Sequence, residues 1–233
     1  MSYSEEEQVE KLKRFWQDHG TPILVGISLA LAVFAGWRYW QQSRLETAAA
    51  AAAGYQAALE AAQKLTVNPD DKEANTELQR QSLKVIQDQA GTPYAVNAAL
   101  LLAKRAVEVG DAKEAEKQLR WVLEQKSVDE GMRAMTTLRL ARVLADKGDG
   151  KGALALLDQA TEPAFMPTRD ELRGDILRAA GDVAGARKAY EAAVKVLVER
   201  KESRPLLDAK LADVGVEAPE IKRPSPILEE KGA

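Results

Sequence analysis

Apolar positions along this chain follow two different patterns. Between residues 22 and 37 no charge interrupts a run of Ile, Leu, Val, Ala and Phe. The segment 21–40 is therefore apolar all round rather than on one face. A helix rises about 1.5 Å per residue, so these residues span roughly 30 Å, the thickness of a hydrocarbon core. After Trp40 apolar residues recur three and four apart between charges, the period of helices that bury one stripe.

Thr21 is placed to cap the start of a helix over the apolar run, with Pro22 in its first turn. Trp37, Tyr39 and Trp40 gather at the far end, where amphipathic rings favour the membrane–water boundary, and Arg38 can snorkel to headgroups. A core helix of a soluble domain has no use for such a girdle. A cleaved signal peptide needs a small-residue site close behind its apolar part. The alanines at 48–53 lie beyond the bulky, charged GWRYWQQSRLET. The reading is an uncleaved signal anchor held by Ile23, Leu24, Val25, Leu29, Leu31, Val33, Phe34, Trp37, Tyr39 and Trp40. Lys11, Lys13 and Arg14 precede the span; Arg38 and Arg44 follow it. The positive-inside rule leans towards a cytoplasmic N-terminus.

Past the span, RLETAAAAAAGYQAALEAAQKL reads as one long helix, broken at NPDD, where Asp70 or Asp71 can cap the next. EANTELQRQSLKVIQDQA follows and stops at Gly91. Thr92-Pro93 starts another helix. A repeat then emerges in LLAKRAVEVGDAKEAEKQLRWV, LRLARVLADKGDGKGALALLDQA and LRGDILRAAGDVAGARKAYEAAV. Each has a helix, Gly-Asp and a second helix. The glycines Gly110, Gly148 and Gly181 are 38 and 33 residues apart. A period near 34 marks tetratricopeptide repeats. The Gly suits a left-handed helix end and the Asp suits the next N-cap.

Small residues explain why the hairpins close. Ala103, Ala141 and Gly174 fall seven before the turn glycine; Ala115, Ala153 and Ala186 fall five after it. Leu119, Leu157 and Tyr190, nine after it, fill the gap to the next unit. The third unit fits best, and the first is looser, with Val122 where the motif prefers Ala. The expected fold is all-α: a single N-terminal transmembrane helix followed by a TPR-like helical-hairpin solenoid. The boundaries read as 1–20, 21–40 for the anchor, 41–213 for the repeats and 214–233 for a disordered, proline-containing tail. Stacked hairpins line a concave face with their first helices. The repeat register puts Asn97, Lys104, Met135, Arg142, Glu171 and Arg178 there as a candidate partner groove of mixed character.

Composition narrows the function. The net charge is −3 and 30% of residues are charged, which gives no footing to nucleic-acid binding. There is no cysteine, so disulfides, thiolate metal sites and cysteine nucleophiles are excluded. His19 is the lone histidine. There is no phosphate loop, no carboxylate pair stands out as acid and base, and the RGD at 173–175 falls inside a helix. The reading is a binding protein rather than an enzyme, with no cofactor, metal or small-molecule substrate.

EEQVEKLKRFWQDHG, an anchor closing on GWRYW, AAGYQAAL, and helices carrying LRLARV and GDVAGARKAYEAAV together resemble the bacterial ancillary SecYEG translocon subunit family (YfgM-like). The resemblance runs from residue 5 to about 213. Its most specific parts are Val9, Glu10, Lys13, Arg14, Phe15 and Gly20 before the span and residues 36–40 at its end. It implies a single-pass protein of the bacterial inner membrane, N-terminus cytoplasmic and repeats periplasmic. It further implies association with the SecYEG translocon and with a membrane-anchored periplasmic chaperone of the peptidyl-prolyl isomerase-like class, to which emerging chains are handed. The rival reading is a TPR adaptor that organises another envelope complex, in division or outer-membrane assembly. A third is a cytoplasmic adaptor on a reversed anchor.

Overall fold

A computed structural model describes residues 3–217 and 219, with side chains from residue 7. Most of the tail expected to be disordered lies outside the described residues. Among the described residues all regular structure is helical: α1 Tyr3–Val67, α2 Lys72–Asp88, α3 Pro93–Glu108, α4 Ala112–Glu124, α5 Glu130–Asp146, α6 Gly150–Gln159, α7 Met166–Ala179, α8 Val183–Glu199 and α9 Pro205–Asp213, with a 3-10 turn at Pro163–Phe165 before α7. The chain divides into two compact units, Met1–Ala50 and Ala51–Ala233.

The first unit is helical from Tyr3 onward, which corrects one expectation. Thr21 is not a cap and Pro22 lies inside α1. The residues before it, EKLKRFWQD, are mostly good helix formers, and a helix already nucleated there propagates more cheaply than a new one starts. Pro22 still withdraws the donor that the carbonyl four residues earlier would use.

In the second unit three hairpins, α3/α4, α5/α6 and α7/α8, repeat one local chemistry. Gly110, Gly148 and Gly181 have φ of 77°, 85° and 82°, the left-handed region that a Cβ disfavours. This closes the same helix end each time: Asp111, Asp149 and Asp182 donate their backbone N–H to the carbonyls of Ala106, Leu144 and Leu177 at 2.8–2.9 Å. The same aspartates then accept, through their carboxylates, the backbone N–H of Glu114, Gly152 and Gly185. α2 and α3 are capped likewise, by Asp71 and Thr92. α2 itself ends at Asp88, before Gly91.

Every small and large position of the repeat is buried. One continuous core joins Ala103 and Ala106 of α3 to Leu119 of α4, Leu138, Ala141 and Leu144 of α5, Leu157 of α6 and Ile176 of α7. In the third unit the pair is Gly174 and Tyr190, and a Cβ on the glycine would lie 2.3 Å from the ring. The repeats also run further in both directions than the motif search found. Residues 58, 61 and 65 of α1 pack on Ala74 and Leu78 of α2 as a preceding hairpin. At the other end Gly215, with φ 75°, lies 34 residues after Gly181 (215 − 181). So α9 stands where a fourth first helix belongs. Leu207 and Leu211 are wholly buried against Ala186, Tyr190, Ala193 and Leu197. Seven before Gly215 stands Asp208 rather than Ala or Gly. A second helix cannot approach closely over a carboxylate, and α9 is the last helix among the described residues.

Candidate anchor and partner-binding face

Within the first unit the apolar residues have nothing of this chain over them. Leu24, Val25, Leu29, Leu31, Val33, Phe34, Trp37, Tyr39 and Trp40 are all more than half exposed, Leu29 by 67%; Ile23 is intermediate. Only 6% of the most apolar window is buried. A core helix of a soluble domain would be mostly covered, so that reading fails. α1 is long and apolar enough to cross a membrane. At the aromatic end the Arg44 guanidinium lies over the Trp40 ring, 4.9 Å from its centroid. Before the span Phe15 stacks on His19 at 4.9 Å.

In the second unit α3 and α5 contribute to one core, α5 contacts α7, and α7 is bonded to α9. The six residues expected to line a groove lie on α3, α5 and α7. Asn97 and Met135 are half-buried, while Lys104, Arg142 and Arg178 are exposed. Lys104 sits 3.6 Å from Glu108 of its own helix. Arg142 has no hydrogen bond or ion pair among the described residues.

Glu171 and Arg178 are already committed to α9. Glu171 accepts from Lys210 at 2.7 Å and from Arg204 at 3.2 Å. Arg178 donates to Asp213 at 3.0 Å. Lys210 also donates to Asp175 at 2.8 Å, and Asp175 accepts the Tyr190 hydroxyl at 2.9 Å. Burial first, and then that hydrogen bond to Asp175, push the Tyr190 hydroxyl above its ordinary range. Partial burial pulls the Lys210 ammonium down, but its bonds to Asp175 and Glu171 outweigh this and leave it raised. Asp175, Arg204 and Lys210 were not among the residues that the repeat pattern singled out. The signal that finds them is the 34-residue step to Gly215, which makes α9 the next first helix.

The face is thus divided. Its α7–α9 end is a closed ion-pair network, and its α3–α5 end carries Arg142 without a partner among the described residues, with Lys104 held by Glu108. A second depression of about 630 Å³, between α2, α3 and α4, is lined by Leu83, Leu102, Ala106 and Val109 and rimmed by Arg105 and Lys117. Arg105 there is occupied, holding Asn75 at 2.9 Å and the Pro69 carbonyl at 2.8 Å. Such surfaces supply charge and shape for binding.

Comparison with known proteins agrees with this architecture. The family model for tetratricopeptide repeat-like domains matches residues 13–216. The chain is 35% identical over 195 residues to the ancillary SecYEG translocon subunit of Haemophilus influenzae, covering 83% of this chain and 91% of that one. The Escherichia coli protein of the same name is 34% identical over 192 residues, 82% and 88% of the two chains. The Neisseria gonorrhoeae protein is 28% identical over 207 residues, 89% and 95%. Among solved structures, one titled for pilF of Pseudomonas aeruginosa superposes with a TM-score of 0.52 at 17% identity, covering 72% of this chain and 69% of that one. That likeness is one of fold.

Proposed function

This chain belongs to the family of ancillary SecYEG translocon subunits, and on that premise we propose that it is a membrane-anchored scaffold working beside that channel. Residues 21–40 remain in the bacterial inner membrane as a single span. Residues 1–20 face the cytoplasm and the hairpin stack faces the periplasm. There the stack binds a membrane-anchored, peptidyl-prolyl isomerase-like chaperone and brings it to chains leaving the translocon. The work is binding, with no bond made or broken. Confinement to the bilayer raises the effective concentration of the stack near the channel.

One observation carries this reading. An apolar stretch left largely uncovered by the rest of the chain and a stack of paired helices occur in a single chain whose likeness covers 91% of a relative named for the translocon. The basic residues Lys11, Lys13 and Arg14 support the orientation. The test is photo-cross-linking in native membranes from a probe placed on the α3–α5 face. The reading expects adducts with channel subunits and with the chaperone. Adducts confined to division or outer-membrane assembly factors would assign the protein to another envelope complex. Protease added to spheroplasts should digest the hairpin stack; a protected stack would reverse the topology.

A further inference from the structure

We propose that residues 9–20 of α1 form an interfacial helix lying on the bilayer beside the span, with Val9, Leu12, Phe15 and Trp16 sunk among the headgroups and Lys11 and Lys13 on the phosphates of anionic phospholipids.

The four apolar side chains are exposed, from 50% at Phe15 to 67% at Leu12, and each stands three or four residues from another on one helix. At about 100° per residue they share an arc of about 120° on the helix surface. His19, stacked on Phe15, and Gln8 fall inside the same arc. Lys11 and Lys13 border it, one on each side, about 40° beyond its edges. Glu7, Glu10 and Asp18 lie on the opposite face with Arg14. Three cations and three carboxylates cancel over residues 7–20, so net charge draws this segment nowhere. Its arrangement does. The charges beside the apolar stripe are two lysines, whose stems can follow it while their ammonium groups stay at headgroup level. The carboxylates face the other way, into water.

Two observations commit the stripe to lipid. It runs directly into the span on the same helix, whose apolar window is only 6% buried. Outside residues 21–40, no other exposed large apolar residues of the described chain stand three or four apart, and past the far end of the span Leu45 is alone. Carried straight on from Thr21, twelve residues (21 − 9) would hold Val9 about 18 Å out in water. The chemistry for a bend is present. Pro22 inside α1 withdraws the donor that the Asp18 carbonyl would use, and Gly20 precedes it by two residues; helices kink at such places. Trp16 lies over Gly20, where a Cβ would be 3.4 Å from the indole, so the ring covers the joint. An arm held at the interface there fixes the rotation of the span about its own axis. The proposal rests on residues 21–40 crossing a bilayer, and not on which side the N-terminus faces.

The chain has no cysteine, so a single introduced one takes a nitroxide label uniquely. Leu12→Cys, Glu10→Cys and Val33→Cys would each be labelled in the full chain and reconstituted in vesicles of phosphatidylethanolamine and phosphatidylglycerol, with a neutral nickel chelate on both sides. Collision with the chelate is expected to be slower at position 12 than at position 10 by about threefold or more, at every protein-to-lipid ratio. Lys11→Glu with Lys13→Glu should bring the rate at 12 near that at 10, and vesicles of phosphatidylcholine alone should narrow the difference. Equal rates at 10 and 12, or a rate at 12 untouched by the lysine reversal, with the label at 33 still protected, overturn the proposal and leave the anchor intact. A water-exposed label at 33 overturns both. Protection of 12 that fades as the protein is diluted in lipid assigns the stripe to a second copy of the chain and overturns the proposal as well.

Discussion

A methyl group on Gly174 would collide with Tyr190, at 2.3 Å from the nearest ring carbon. The other two units solve the same contact with Ala103 and Leu119, and with Ala141 and Leu157. Gly174→Ala should therefore destabilise the stack by about 2 kcal/mol through overpacking. Adding Tyr190→Leu should recover much of the loss by recreating the Ala–Leu pairing. Thermal melting of the single and double variants measures the coupling; additive losses would reject this account of the contact. Thr136 poses the opposite case. Its hydroxyl is buried without a partner, so Thr136→Val should stabilise by about 1 kcal/mol and raise Tm by roughly 2–4 °C.

Between elements, short ties set the register of hairpin on hairpin. Glu116 of α4 accepts from Lys147 just past α5 and from Arg120 of its own helix. The bonds from Lys147 and then Arg120 hold its carboxyl below the ordinary value of 4.5. The unfolded chain consequently takes up this proton at higher pH than the folded one. The contribution is complete above pH 4.5 and is lost as pH falls through the lowered folded value. Glu116→Gln should lower Tm at pH 7, change it little below about pH 3, and so flatten the decline between; an unaltered acid slope would remove Glu116 from the account. α9 shows a different kind of tie. Nine residues are too few to stay helical alone. Full burial of Leu207 and Leu211 contributes about 2 kcal/mol each, and the bonds of Lys210 and Arg204 to α7 fix its direction.

At the scale of the whole molecule, the proposed work depends on keeping the hairpin stack tethered. Leu29 and Val33 lie on one side of the span, four residues apart, with two-thirds of their surface open. An arginine near the centre of a membrane helix costs about 2.5–3.5 kcal/mol on insertion scales. Leu29→Arg with Val33→Arg should move the protein from the membrane pellet to the supernatant of an alkaline carbonate wash, with helicity of the stack retained. Retention in the pellet would mean that something other than this span holds it.

The sequence by itself determined the elements. An uncharged run of the right length, Gly-Asp at a spacing near 34, and small residues at fixed offsets are local facts. The backbone obeys them directly, because only glycine enters the left-handed turn freely and only small side chains let two helices touch. Candidate positions such as Asn97, Lys104 and Met135 followed from that register. Tertiary structure decided what each residue was free to do. Glu171 and Arg178 look in sequence just like Arg142, yet α9 folds back and takes the first two. That Arg142 stands without a partner among the described residues shows itself only once the bonds of its neighbours have been traced. Charge is written in the sequence, but pairing depends on distances of a few ångströms between residues more than thirty positions apart, and those distances exist only after packing.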